Sequence, residues 1–200
     1  MKLSLIRHGY TEGNRRRLYY GSTDIPLLDE GVSFLKELAM EYVYPQAPHF
    51  YTSGMLRTEQ TLNALYGPVE HKIIPGIREM DFGNFEMRTY KELCNDPAYQ
   101  KWISGDVESN VCPGGESGVI VTKRALKALE PIIKNGEDAV CITHGGVISG
   151  VANYYFPSPK GRFAYVPEPG CGWQIEFSGM NAISCRLIPE KAKETRSEPE

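Results

Sequence analysis

Leu3-Ser4-Leu5-Ile6-Arg7-His8-Gly9 decides how this chain is read: an apolar run ends in an arginine, a histidine and a glycine. A strand buried on both faces is apolar at successive positions, so Leu3 to Ile6 reads as a core strand. Arg7 and His8 then stand where the strand leaves the sheet, and in open α/β sheets that carboxyl-end edge is where ligands bind. Ala139-Val140-Cys141-Ile142-Thr143-His144-Gly145-Gly146 repeats the design more than 130 residues later. Two of the four histidines thus end apolar strands and precede glycine, which points to a shared site.

Outward from these two strands, helical and strand patterns alternate. The spacing of Val32, Leu35, Leu38, Ala39 and Tyr42 predicts a helix over 29–42, after a loop through 21–26. A short strand over 49–52, a helix over 54–65 and a strand over 69–74 follow. The stretch from Ile77 to Cys112 is mixed, with short helices near 89–94 and 97–103. Pro113-Gly114-Gly115 breaks the chain before a long helix over 116–133, with Val121, Ala125, Ala128, Leu129 and Ile132 on one face. The second histidine strand, a helix over 146–154 and strands over 173–177 and 183–188 complete the order. Alternating β and α elements predict an α/β fold, a three-layer αβα sandwich with a mostly parallel central sheet and an antiparallel final pair at one edge. Residues 1–188 read as one domain and 189–200 as a disordered tail, charged and without aromatics.

Composition narrows the function. With 41% apolar and 24% charged residues the chain has the balance of a soluble domain. A net charge of −3 lacks the basic excess of a nucleic-acid binder. Cys94, Cys112, Cys141, Cys171 and Cys185 are odd in number and form no C-x-x-C pair, which argues against a disulfide framework or a zinc site and suits a reducing cytosol. Neither a signal peptide nor an apolar stretch of membrane-spanning length is visible, so a cytoplasmic protein without a membrane partner is expected. Nothing in the pattern specifies an oligomeric state.

Ser53-Gly54-Met55-Leu56-Arg57 follows the 49–52 strand and puts Arg57 in the first turn of the next helix, beside backbone N–H groups and the positive end of its dipole. Two arginines, two histidines and glycines that admit close backbone approach suit a tetrahedral oxyanion such as a phosphoryl group. No H-x-H, H-E-x-x-H or suitable aspartate cluster offers a metal, so arginines must neutralise the charge, and no cofactor is expected. A proton donor for the leaving alcohol is also needed. Glu79, in Ile77-Arg78-Glu79-Met80-Asp81-Phe82-Gly83, is the first candidate and Asp81 the second, because like-charge repulsion from a bound phosphate favours a protonated carboxyl.

These blocks together resemble the histidine phosphatase superfamily, which has a phosphoglycerate mutase-like fold. The carriers are Arg7-His8-Gly9-Tyr10-Thr11-Glu12-Gly13-Asn14, the stretch from Gly21 to Gly31, the Arg57 block, Arg78-Glu79, Pro113-Gly114-Gly115-Glu116-Ser117 and Thr143-His144-Gly145-Gly146, in order from residue 2 to about 155. The resemblance implies that His8 is a nucleophile phosphorylated on its ring. It implies that Arg7, Arg57 and His144 bind the phosphoryl group, and that Glu79 acts as acid and then as base. Asn14, Tyr20, Gly21 and Gly145 are the further substrate-binding positions. Mutases of the family carry Glu-Arg-x-Tyr-Gly, whereas Glu79-Met80-Asp81-Phe82-Gly83 is similar to the phosphatase branch, the alpha-ribazole type among it. The implied activity is metal-independent hydrolysis of small phosphomonoesters, alpha-ribazole phosphate or sugar and nucleotide-like phosphates. A phosphoglycerate mutase is the alternative and a non-catalytic phosphate-binding module a third. The chain departs from the pattern at Phe85-Glu86-Met87, where Trp-Glu-Gly is usual, and at Leu28, which replaces a Ser/Thr helix cap.

Other features have plainer readings. Arg15-Arg16-Arg17 reads as a solvated charged face rather than a substrate rim. Tyr19, Tyr20, Phe82, Phe85, Tyr90 and Trp102 are either core or the wall of a pocket for a ring-bearing substrate. Cys141 reads as inert within a strand, and His49 and His71 as non-catalytic.

Overall fold

The structure is a computed structural model that describes residues 1–106 and 108–191. Along the chain run β1 (Lys2–Arg7), α1 (Glu12–Arg16), β2 (Leu18–Tyr19), α2 (Asp29–Glu41), β3 (Tyr42–Val43), β4 (His49–Thr52), α3 (Leu56–Tyr66) and β5 (Lys72–Ile73). Then come β6 (Arg88–Thr89), α4 (Tyr90–Leu93), α5 (Pro97–Trp102), α6 (Gly118–Asn135), β7 (Ala139–Thr143), α7 (Gly145–Tyr155), β8 (Gly172–Ser178), β9 (Asn181–Ile188) and β10 (Glu190–Lys191).

Six strands form the central sheet in the order β5-β4-β7-β1-β8-β9. The four from β5 to β1 are mutually parallel, and β8 joins β1 and β9 antiparallel, so the expected antiparallel edge pair is present. Leu3 lies opposite Ala139 and Arg7 opposite Thr143, which brings the two histidines that follow to the same edge.

The residues of β1 and β7 divide between two cores according to the two-residue period of a strand. Leu3, Leu5, Ala139 and Cys141 pack with Val121, Ala125, Leu129 and Ile148 of α6 and α7. Ile6, Val140 and Ile142 pack on the other face with Leu62 of α3 and Tyr44. Two helical layers therefore enclose the sheet, and the stretches Leu3–Ile6 and Ala139–Ile142 are apolar almost throughout because neither face meets water there. Ser4 is the exception on β1, and its hydroxyl accepts from Gln174 Nε2 at 2.8 Å.

Local chemistry sets several boundaries. Ser117 caps α6, its Oγ accepting from Ile120 N, and Gly136 ends it in the left-handed region. The helix thus begins two residues later than the 116–133 reading. Gly54 turns at φ 77 and Met55 precedes the first helical residue, so α3 starts at Leu56. The strand expected over 69–74 shrinks to Lys72–Ile73. The expected tail over 189–200 also begins differently: Glu190 and Lys191 pair antiparallel with Val43 and Tyr42. That ladder gives the backbone after α2 hydrogen-bond partners that solvent would otherwise supply. The rest of that tail, residues 192–200, lies outside the described residues.

Candidate active site

His8 is the first residue beyond β1 and is buried. Its backbone N–H continues the β1–β7 ladder by donating to Thr143 O at 3.0 Å. Its Nδ1 lies 2.8 Å from Gly9 O. A carbonyl only accepts, so Nδ1 carries the hydrogen and Nε2 keeps a lone pair in the neutral ring. Burial, and then the charge of Arg57, hold the His8 imidazole well below its ordinary range. His8 is therefore a neutral, oriented imidazole with a free Nε2 lone pair.

Arg57, in the first turn of α3, is fully buried. Its Nη2 donates to Gly21 O at 2.8 Å and its Nη1 to Thr23 O at 3.0 Å, while its Cζ stands 5.1 Å from the Tyr20 ring centroid. Its Nε lies 3.3 Å from His144 Nδ1. The guanidinium cannot accept, so Nδ1 of His144 is the bare nitrogen and Nε2–H donates to Ser53 Oγ at 2.9 Å. Burial and then Arg57 push the His144 imidazole well below its ordinary range as well. The two rings stand 5.2 Å apart between centroids, both neutral and beside a cation.

Arg7 donates through Nη1 to Pro167 O at 2.8 Å, but its buried Nε has no hydrogen-bond partner among the described residues. A buried charge-bearing donor without an acceptor is costly unless an anion completes it. Gly145 opens α7 beside it: a Cβ there would lie 3.4 Å from Arg7 Nε. Glu79 reaches the same helix end, accepting from Gly146 N at 3.0 Å and from Met80 N at 2.9 Å.

Arg7, His8, Asn14, Tyr20 and Glu79 line one cavity of about 230 Å³ together with Gly13, Arg17, Leu18 and Phe82. A second cavity of about 270 Å³ shares Arg7, Glu79 and Phe82 with it and extends past Trp102 and Phe163. The first cavity offers an imidazole nitrogen, Arg7, Arg17 and a carboxyl group, with the α7 N-terminus on the adjoining cavity and the fully buried Arg57 lining neither, an arrangement that can support phosphoryl transfer without a metal. Among the described residues no group of three or more His, Cys, Asp or Glu side chains is placed to hold a metal ion.

The remaining sequence-derived positions divide. Asn14 caps α1 reciprocally with Thr11, and its Oδ1 takes hydrogen bonds from Thr11 N and from Tyr20 OH. Only its amide nitrogen is left to donate to a ligand. Gly21 stands behind Arg57, with its carbonyl on Nη2 and its N–H on Glu86, and it does not line the cavity. A Cβ at Gly21 would fall 1.5 Å from Met80 O, which explains the glycine. Asp81, the second acid candidate, accepts from Gly83 N and Ser22 Oγ and lines neither cavity.

Of the aromatics, Phe85 is core, Tyr90 is exposed, and Phe82 and Trp102 form cavity wall. His49 and His71 pair with Glu137 and Glu59, away from both cavities. The arginine run splits: Arg15 pairs with Glu12 and Glu30, whereas Arg17 lines the same cavity as His8.

Sequence reasoning missed three supports. Ser53, quoted only as part of the Arg57 block, accepts from the His144 Nε2–H that Arg57 leaves in place. Glu86 gathers the N–H groups of Gly21, Ser22, Thr23 and Phe82, and so shapes the loop whose carbonyls hold Arg57. Arg124 of α6 grips Glu116 in a two-pronged ion pair and donates to the carbonyls of Gly76, Arg78 and Glu79. The position of Arg124 on an amphipathic helix carried no signal of this.

A sequence model of the Histidine phosphatase superfamily (branch 1) matches residues 3–177. The chain belongs to this superfamily. Membership makes it an enzyme of the phosphatase class. An adenosylcobalamin/alpha-ribazole phosphatase of Salmonella typhimurium is 30% identical over 199 residues, covering 94% of this chain and 98% of that protein. The crystal structure of an alpha-ribazole phosphatase from Shigella flexneri superposes with a TM-score of 0.82 at 23% identity, covering 96% of each chain. A phosphoglycerate mutase from Thermus thermophilus matches with a TM-score of 0.71 at 27% identity, covering 92% of this chain and 98% of the other. The α/β sandwich with its mainly parallel sheet is thus the phosphoglycerate mutase-like fold. Among the described residues no helix is long and apolar enough to cross a membrane.

Proposed function

We propose that the protein hydrolyses small phosphomonoesters through a phosphohistidine on His8, without a metal. The observation that carries this reading is the His8 ring itself: Nδ1–H is fixed on Gly9 O, leaving Nε2 free, in a cavity shared with Arg7 and Glu79. In the first step Nε2 attacks phosphorus and the ester P–O bond breaks. Glu79, protonated, gives its proton to the leaving alkoxide oxygen. In the second step the Glu79 carboxylate takes a proton from water, whose oxygen attacks phosphorus and breaks the P–N bond. Phosphate leaves and His8 is neutral again.

Arg7 supplies its unpaired Nε to the equatorial oxygens, and Arg57, with the N-terminus of α7, adds positive potential. The relatives' names make alpha-ribazole phosphate a substrate to test, alongside sugar and nucleotide-like phosphates. Water as acceptor is favoured over a second substrate position because Glu79-Met80-Asp81-Phe82-Gly83 lacks the mutase pattern.

The test is a phosphorylated-metabolite screen paired with mass spectrometry of the trapped intermediate. Acid-labile phosphate on His8, absent in His8→Asn, is the expected result. Turnover retained by His8→Asn, or strict dependence on a divalent metal, contradicts the reading. Interconversion of phosphoglycerates faster than phosphate release would make the protein a mutase.

A further inference from the structure

We propose that Arg17 selects the leaving-group half of the substrate, its guanidinium receiving a second acidic group, carboxylate or phosphate, carried on the esterified alcohol. The inference rests on the reading of His8 as phosphoryl acceptor. Three observations converge on this residue.

Arg17 lines the same cavity of about 230 Å³ as His8, Arg7 and Glu79. Besides His8, Arg7 and Glu79, the cavity is lined by the uncharged Gly13, Asn14, Leu18, Tyr20 and Phe82, and the Tyr20 hydroxyl is engaged by Thr11 and Asn14. Arg17 is therefore the cation available beyond the phosphoryl clamp.

Its side chain makes no hydrogen bond or ion pair with any described residue. Arg7 is committed to Pro167 O, Arg57 to the carbonyls of Gly21 and Thr23, and Arg15 to Glu12 and Glu30, while Arg16 lines neither cavity.

The backbone of Arg17 lies at φ 54, ψ 47, the left-handed C-cap of α1. Glycine is the usual residue there, and a side chain at that position costs free energy that a purely structural cap would avoid. Strain of this kind gathers where a side chain has a function. The next residue begins β2, so Arg17 is also held by the pairing of Leu18 and Tyr19 with Thr89 and Arg88.

Two esters of equal length separate this idea from its alternatives: phosphoglycolate, which carries a carboxylate, and ethyl phosphate, which does not. Calorimetric binding is measured in the non-turning-over His8→Asn background with Arg17, with Arg17→Gly and with Arg17→Lys. The expected preference for phosphoglycolate with Arg17 is about tenfold, as befits a charge-assisted contact at a partly solvated rim. It falls to about onefold in Arg17→Gly, is partly kept in Arg17→Lys, and shrinks as salt rises. Arg17→Gly suits the left-handed cap and is expected to melt at or above the parent temperature, so misfolding does not mimic the effect. A preference unchanged by Arg17→Gly, or no binding of phosphoglycolate at all, overturns the proposal. Steady-state turnover of both esters by the otherwise unaltered enzyme keeps the two readings apart. An Arg17-dependent binding preference without hydrolysis defeats the phosphatase mechanism alone, and hydrolysis with the same kcat/KM ratio in parent and Arg17→Gly defeats the Arg17 assignment alone.

Discussion

At the scale of single residues, the site works by fixing which nitrogen of each histidine carries hydrogen. Gly9 O does this for His8, and Ser53 Oγ together with Arg57 does it for His144. Ser53→Ala leaves a buried imidazole N–H without an acceptor, a loss of about 1–3 kcal/mol. We expect urea unfolding to show that loss and kcat to fall about tenfold as the His144 ring reorients, with a smaller change in KM. The two arginines, the two histidines and Glu79 were legible in the sequence because each ends an apolar strand or stands in a family block. Ser53 was not, since a serine before a glycine reads equally well as turn chemistry. Catalysis has a pH signature at this scale. His8 stays neutral well below the ordinary imidazole range, so on the proposed mechanism it can attack in mild acid, while Glu79 serves first as acid and then as base. Activity is expected to be bell-shaped or acid-shifted, and a rate that climbs from about pH 6 to 10 would contradict these roles.

At the scale of elements, long periodic segments were readable and very short ones were not. The β1 and β7 runs, α2, α3, α6 and α7 each give enough residues for a period to show. The two-residue strands β2, β6 and β10 give none. Helix α1 has five residues, among them a glycine and two arginines, and its one signal was the Thr11–Asn14 cap. Two elements invite tests. Arg124 ties α6 to the segment that carries Glu79. Arg124→Lys cannot keep both the fork on Glu116 and the three carbonyls, and it is expected to cost about 2–3 kcal/mol in chemical denaturation and to lower kcat. Met87, just before β6, lies at φ 59. It occupies the position where the family pattern has glycine, and its side chain is 38% exposed. Met87→Gly should therefore relieve strain and raise stability by up to about 1 kcal/mol; a clear loss would mean that the thioether packs more than its exposure implies.

For the whole molecule, the buried neutral histidines link folding to pH. In the unfolded chain both take up a proton near the ordinary value of 6.5, and in the folded chain neither does until far lower pH. Below about pH 6.5 the unfolded state binds more protons, so stability is full above that pH and falls as pH drops. The slope is up to about 1.4 kcal/mol per pH unit for each histidine. Denaturant midpoints are expected to fall between about pH 7.5 and 5.5, and to fall less in a His8→Gln/His144→Gln double variant. An equal fall in both proteins would place the pH sensitivity elsewhere.

The backbone bonds around Arg7 set an order in time. Arg7 N donates to Cys171 O, Gly170 N donates to Arg7 O, and Arg7 Nη1 reaches Pro167 O. His8, one residue on, bonds Thr143 O. A chain growing from its N-terminus thus possesses His8 almost at once but cannot complete the bonds around Arg7 and His8 until Cys171 has been made. On the proposed mechanism a nascent chain is therefore chemically silent toward phosphate esters for most of its synthesis, and a product that stops before Pro167 stays so.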